Sequence, residues 1–374
     1  MINSPTENYR LMKDLDFKNN QNKICIRNQL TGNIDGNNHT IKNIDNTHIF
    51  YNINKGSLKN LNISNVSFIT NSTYTGIIIN ANSAEIDNVN VENINIEVAS
   101  EDKEASLIIG GLITYANNNT TKNSSVNNIN ITLNSTKKEI TVGGLVAKAN
   151  SAYIYNCYVN NININESNTM QSNGIGAVIG YSEMSEVINC YSIGNINTDV
   201  KNVGGIIGNL TGSSSMLNYS YSLVNIEANN DNIGGIVGYD GNSDLDTNIS
   251  YNLALGNIYN SKDTDNSNRC VGNAPKERFN YSYANQLIDG KKSEELLGAE
   301  KLLTYKELAD TNTYYNVLLF GNSYSYSNLE KGILPKLYNT NQEGLLINQP
   351  DIEIPSDNDL TIKNLEVEKN SVNT

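Results

Sequence analysis

Residues 152–164 read Ala152-Tyr-Ile-Tyr-Asn-Cys-Tyr-Val-Asn-Asn-Ile-Asn-Ile164. Ile154 leads to Asn156, Cys157 and Val159 alternate next, and Ile162 and Ile164 alternate after Asn161. Alternation with period two, rich in β-branched residues, is strand patterning. The phase slips by one residue at Asn161. Such a slip turns every following side chain to the other face unless the chain bends there. Two short strands therefore meet at an Asn corner. The step recurs down the chain at Asn65-Val66, Asn93-Ile94, Asn128-Ile129, Asn161-Ile162, Asn195-Ile196, Asn225-Ile226 and Asn257-Ile258. A period of roughly thirty residues marks a stacked array.

A third run in each repeat is glycine-rich: Gly110-Gly111-Leu112-Ile113, Gly143-Gly144-Leu145-Val146, Gly204-Gly205-Ile206-Ile207 and Gly234-Gly235-Ile236-Val237, with partial copies at Thr75-Gly76 and Gly176-Ala177. Paired glycines give a corner where backbones approach closely. A phosphate-cradling loop would need a helix after the glycines, and no helical pattern follows them. The expected fold is all-β: a right-handed parallel β-solenoid of about seven rungs, right-handed because parallel crossovers nearly always are. The Asn column Asn65, Asn93, Asn128, Asn161, Asn195, Asn225 and Asn257 should form a ladder of side-chain amides, since adjacent strands lie about 4.8 Å apart. A second column, Leu61, Val89, Ser124, Cys157, Cys190, Ser220 and Ser250, shrinks from large to small, so the interior should change shape along the coil.

Array ends need caps. Residues 1–50 fit the repeat poorly and supply an N-terminal cap with the first strands; residues 51–285 carry the repeats. Residues 286–338 change to a helical or irregular C-terminal cap, with Ser293 placed to start one helix and Thr304 and Glu307 at capping-box spacing for another. Residues 339–374 read as a linker and the start of a following β domain.

Chemistry has few places to reside. The net charge is -13. That opposes nucleic acid, which calls for clustered Lys and Arg. No apolar run approaches the roughly 20 residues of a membrane span. The two histidines, His39 and His48, lie outside any His-Glu-x-x-His pattern and outside a nucleophile context, so no catalytic residue is assigned. Cys157 and Cys190 share a rung position, which leaves a disulfide or two buried thiols open; buried thiols are the simpler reading, because Ser and Val fill the same column. Asp240, Asn242, Asp244 and Asp246 place oxygen ligands at alternate positions, as calcium loops do, but Leu245 stands where such a loop has Gly and Tyr251 where it has Glu. A solvated loop is the simpler account, as it is for Asp263 and Asp265. Tyr158, Tyr191, Tyr221 and Tyr251 should form an outward stripe, able either to bind glycan or protein or merely to stack.

The Gly-Gly-Ile-Ile-Gly208 and Gly-Gly-Ile-Val-Gly238 cores, with Asn-Cys-Tyr or Ser-Tyr beside them, resemble the GLUG repeat of bacterial surface proteins. The opening is more specific. Pro5-Thr-Glu-Asn-Tyr-Arg-Leu-Met-Lys-Asp-Leu-Asp-Phe17, Gly32-Asn-Ile-Asp-Gly-Asn-Asn-His-Thr-Ile-Lys-Asn-Ile44 and Gly56-Ser-Leu-Lys-Asn-Leu-Asn-Ile63 resemble the N-terminal region of the immunoglobulin-A1-cleaving zinc metallopeptidases of Gram-positive bacteria. Leu253-Ala-Leu-Gly-Asn-Ile-Tyr259, Arg269-Cys-Val-Gly-Asn273 and Ile333-Leu-Pro-Lys-Leu-Tyr338 fit the same region. The resemblance implies an extracellular or wall-attached, non-catalytic region that docks substrate or acts as a rigid spacer. It implies a host partner such as immunoglobulin A, no cofactor in this chain, and zinc only in a separate catalytic domain. It also implies an internal piece of a longer protein. The alternative is a stand-alone adhesin-like solenoid that binds host protein or glycan.

Overall fold

The computed structural model describes residues 4–18, 25–100, 106–135, 139–167, 171–241, 248–262, 267–273, 279–289, 291–292, 299–338 and 345–346. Strands of successive repeats pair in parallel, and the chain winds as a parallel β-solenoid of about seven turns. One turn runs Ser125–Ser135, Glu139–Gly143, Val146–Asn150 and Tyr153–Tyr155. The first and last of these belong to one continuous sheet; Val146–Asn150 lies in a second, eight-stranded sheet and Glu139–Gly143 in a third, seven-stranded one. Ile129 stands on Ile162 and Ile131 on Ile164. All four are fully buried. Each apolar side chain thus packs against its counterpart one turn away, which is how an array builds a core that no single rung could bury.

The corners explain the abundance of Asn. Asn118, Asn123 and Asn128 all have φ between 45° and 54°. The same five-residue step recurs at Ser83, Asn88 and Asn93, and at Ser151, Asn156 and Asn161, each with positive φ. Among side chains Asn enters this left-handed region most readily. Four successive turns, from Lys55 to Asn161, therefore bend at three left-handed corners each, the last two of which carry Asn in all four. The amides stack in one direction: Nδ2 of Asn93 donates to Oδ1 of Asn65 at 3.3 Å, Asn128 to Asn93 at 3.1 Å, and Asn161 to Asn128 at 2.9 Å. A parallel column on the next corner joins Asn60, Asn88, Asn123, Asn156 and Asn189, with Asp87 accepting the Asn123 amide in place of Asn88.

The expected ladder does not run straight through. The strand register shifts between Val159 and Ile162, and Asn195 pairs with Asn163 rather than with Asn161. Gly194, at φ +143°, replaces the left-handed Asn corner. A Cβ there would lie 2.0 Å from the Ile162 carbonyl oxygen, so only Gly fits. Asn195, Asn225 and Asn257 form a second ladder, offset from the first, in which Asn225 donates to Asn195 at 3.2 Å and the Asn257 backbone N–H donates to Asn225 at 3.0 Å.

The interior column also needs one correction. Cys157, Cys190 and Ser220 follow Ser124, but Tyr221 pairs with Leu253, which puts Asn252 rather than Ser250 after Ser220. Its amide and that of Asn280 continue the column as hydrogen-bonding groups, with Ser220 N–H donating to Asn252 Oδ1 at 3.0 Å and Asn252 Nδ2 to Asn280 Oδ1 at 2.9 Å. Toward this end the interior becomes polar: Arg269, fully buried, donates to Ser282 Oγ and to the Gln286 carbonyl at 3.3 Å each.

Strand pairing reaches into both end segments. Tyr9–Arg10 and Leu15–Asp16 pair with Asn33–Asp35 and Thr40–Asp45, so the N-terminal segment is already coil. At the other end Lys301–Leu303 still pairs with Tyr281–Tyr283, and the coil continues past residue 285. From Thr304 the chain leaves it. The capping box forms as the spacing predicts, with Thr304 Oγ1 accepting from Glu307 N–H and Glu307 Oε2 accepting from Thr304 N–H. It opens a short helix, Tyr305–Leu308. The helix expected after Ser293 and most of 339–374 lie outside the described residues.

Replacing Asn128 separates the two roles of a corner Asn. Asn128→Gly keeps the backbone and loses the amide bonds, and should cost about 1 kcal/mol. Asn128→Val adds the left-handed penalty and should cost about 1–2 kcal/mol more. Equal thermal midpoints for the two variants would contradict this account.

Candidate functional site

Three outer surfaces stand out on the described residues. The first holds the tyrosines expected to face outward. Tyr158, Tyr191 and Tyr221 do point away from the coil interior, and their rings stack at 4.9 Å and 5.0 Å with interplanar angles of 4° and 1°. They are not a free surface. Tyr191 and Tyr221 are fully buried. The C-terminal segment folds against this flank and covers them with Phe320, Tyr324, Leu334 and Leu337. Tyr221 donates its hydroxyl to the Pro335 carbonyl at 2.7 Å, and Tyr324 donates to the Tyr219 carbonyl at 3.0 Å. The cap is thus a lateral cover, not a plug over the coil's end. Tyr251 is not in this stack; it has a left-handed corner at φ 59° and stacks between Tyr219 and Phe279.

The second surface is the exposed Asn corner near the N-terminus. The amides of Asn43, Asn65 and Asn93, with Lys18, Asp45 and Ser67, line an open groove of about 410 Å³. It is polar and shallow, and the ladder bonds already engage its amides.

The third surface was not anticipated. On the outer side of the second sheet, Asn80, Tyr115, Lys148, Tyr181, Asn209 and Tyr239 stand in register on six successive rungs. The three tyrosines and Lys148 are partly exposed. Lys148 Nζ lies 5.9 Å from the Tyr181 ring centre, a cation–π approach. Thr211 donates to the Tyr181 hydroxyl at 2.9 Å, and Tyr74 holds Tyr115 edge-on at 5.6 Å. Asn209 donates Nδ2 to the Asn173 carbonyl of the neighbouring sheet at 2.7 Å, while its buried Oδ1 has no partner. A signal for this row was available. Each member stands four residues after the second position of the glycine corner, as Gly111 to Tyr115, Gly144 to Lys148 and Gly235 to Tyr239.

The remaining candidates do not converge. His39 pairs with Asp14 at 3.1 Å and His48 lies against Tyr51 at 5.5 Å. Among the described residues no group of three His, Cys, Asp or Glu is placed to hold a metal, so they do not fit a zinc centre. Asp240 is buried, and its backbone exchanges hydrogen bonds with the Asn273 amide. Asn242, Asp244 and Asp246, and likewise Asp263 and Asp265, lie outside the described residues. Cys157 and Cys190 are free thiols whose Sγ atoms face the Tyr155 and Ile188 carbonyls at 3.4 Å.

Two outcomes follow. Burial pushes the Cys190 thiol from 9.0 up to about 12, and raises Cys157, Tyr191 and Tyr221 in the same direction. The folded coil therefore holds protons that the unfolded chain releases. Stability is fully present below about pH 9 and should fall as pH rises toward 12, seen as a declining thermal midpoint that Cys190→Ser makes less steep. Tyr221→Ala should free the cap by opening a cavity of the kind that costs about 3–5 kcal/mol. Limited proteolysis should then cut within 304–338 while the coil survives; cleavage no faster than in the parent would refute the clasp.

No model of a protein family matches the chain, and no curated protein matches it. A solved structure from Bacteroides ovatus, described as a "putative immunoglobulin A1 protease", is similar over 90% of this chain and 87% of its own, with 17% identity and a TM-score of 0.38.

Proposed function

We propose that this solenoid is a non-catalytic recognition region of a secreted or cell-surface zinc metalloendopeptidase similar to the immunoglobulin A1 proteases. It docks an extracellular host protein, such as immunoglobulin A, and spaces it rigidly from a catalytic domain outside residues 1–374. The motif order at the N-terminus supports the family reading, from Pro5–Phe17 through Gly32–Ile44 to Gly56–Ile63. The observation that carries docking is the outer row from Tyr115 to Tyr239, where partly exposed aromatics and polar groups alternate on a rigid sheet. Tyrosines give large contact area at small entropic cost, which suits recognition. Zinc belongs, in this reading, to the separate domain.

The same row also favours a second reading, an adhesin-like solenoid that binds host protein or glycan without a protease partner. The surrounding open reading frame separates the two: a His-Glu-x-x-His motif is expected downstream, and its absence would leave the adhesin. For docking itself, the immobilised chain should bind immunoglobulin A in surface plasmon resonance. Tyr181→Ala should weaken that binding by about tenfold, an energy typical of a modest aromatic anchor. A parent chain that fails to bind sinks the docking reading.

A further inference from the structure

Two tyrosine columns on one coil behave in opposite ways. Tyr158, Tyr191 and Tyr221 occupy consecutive rungs, and their rings satisfy one another at 4.9–5.0 Å. Tyr115, Tyr181 and Tyr239 occupy alternate rungs, with Lys148 and Asn209 between them. Strands about 4.8 Å apart put these rings about 10 Å apart, beyond the reach of ring–ring stacking. Self-stacking is thus replaced by partly exposed rings at a fixed interval, with the Lys148 ammonium beside the Tyr181 ring. That interval is the length of a disaccharide in an extended chain of equatorially linked hexopyranoses. In such a chain alternate sugars are turned over, so every second ring offers the same C–H face.

We propose that this row is a binding track for an extended β-1,4-linked polysaccharide, with a tyrosine under every second sugar. The inference rests on the reading that the outer surface is a docking surface, and names its chemical class. The groups between the rings suit the hydroxyls of the intervening sugars. Lys148 supplies N–H donors. Asn209, only 7% exposed and with Nδ2 committed to the Asn173 carbonyl, leaves room between Tyr181 and Tyr239 where a larger side chain would stand. The rings are held in place before any ligand arrives, Tyr181 by Thr211 and Tyr115 by Tyr74. Such preorganisation lowers the ordering cost of binding.

The test is calorimetric titration of the full chain with β-1,4-linked glucose and N-acetylglucosamine oligomers of two to six sugars, and with α-linked maltohexaose. Affinity should rise at least about tenfold from dimer to hexamer in one β-linked series, as successive rings engage. Maltohexaose, which coils, should bind at least about tenfold more weakly. Tyr181→Ala should lose about tenfold for the hexamer, while Tyr153→Ala, exposed on another sheet, should lose nothing. Tyr239→Ala, at the row's end, should end the gain in affinity about two sugars earlier, which guards against a misfolded central variant. No length dependence in either β series, equal binding of maltohexaose, or an inert Tyr181→Ala would each overturn the track. Failure with sugars alongside Tyr181-dependent immunoglobulin binding refutes the glycan and leaves protein docking intact. Sugar binding without immunoglobulin binding does the reverse.

Discussion

The left-handed corner is the constraint on which the rest of this molecule depends. A strand of three residues, a bend, and another strand of three can close a coil only if the bends fall in a region most side chains avoid. Asn enters it at small cost and brings an amide that donates upward and accepts from below. One residue type therefore solves the backbone problem and the hydrogen-bonding problem at once. Asn118, Asn123 and Asn128 show the solution within a single turn. Where the coil changes shape at Gly194, the corner residue changes with it, and the ladder restarts two residues further along.

Stacking at one strand spacing then governs every column. A residue must tolerate its counterpart above and below, so like sits on like: Ile on Ile inside, Asn on Asn at the corners, Tyr on Tyr under the cap. Columns that alternate are exceptions to that rule. The Tyr115–Tyr239 row alternates without any demand from the fold, since Asn80 and Asn209 occupy the same positions as the tyrosines. That freedom from structural need is what sets the row apart.

Much of the coil was legible because its determinants are local. Strand alternation, the Asn step, the glycine corners and the Thr304–Glu307 box each sit within a few residues of one another. What escaped was non-local or degenerate. Three left-handed corners at five-residue spacing look like one in a chain so rich in Asn. Asn252 rather than Ser250 follows Ser220 because 32 residues separate the strand pair Tyr221–Leu253, against 30 for Tyr191–Tyr221. The burial of Tyr191 and Tyr221 depends on a segment more than a hundred residues away, as in the Tyr221–Pro335 bond. Nothing in the outward phase of a strand says which outward residues a distant segment will cover.

The lateral position of the cap gives the coil a mechanical polarity. In a plain solenoid each turn is braced only by the turns beside it, so melting can begin anywhere. Here one segment lies across Tyr191, Tyr221, Leu253 and Tyr281 on four consecutive turns, like a splint across a row of slats. Those turns can separate only together. Among the described residues the earlier turns, held at their Asn corners, lack that brace. Tension or heat applied to the whole chain should therefore peel it from the N-terminal side, with the splinted block left standing to the last.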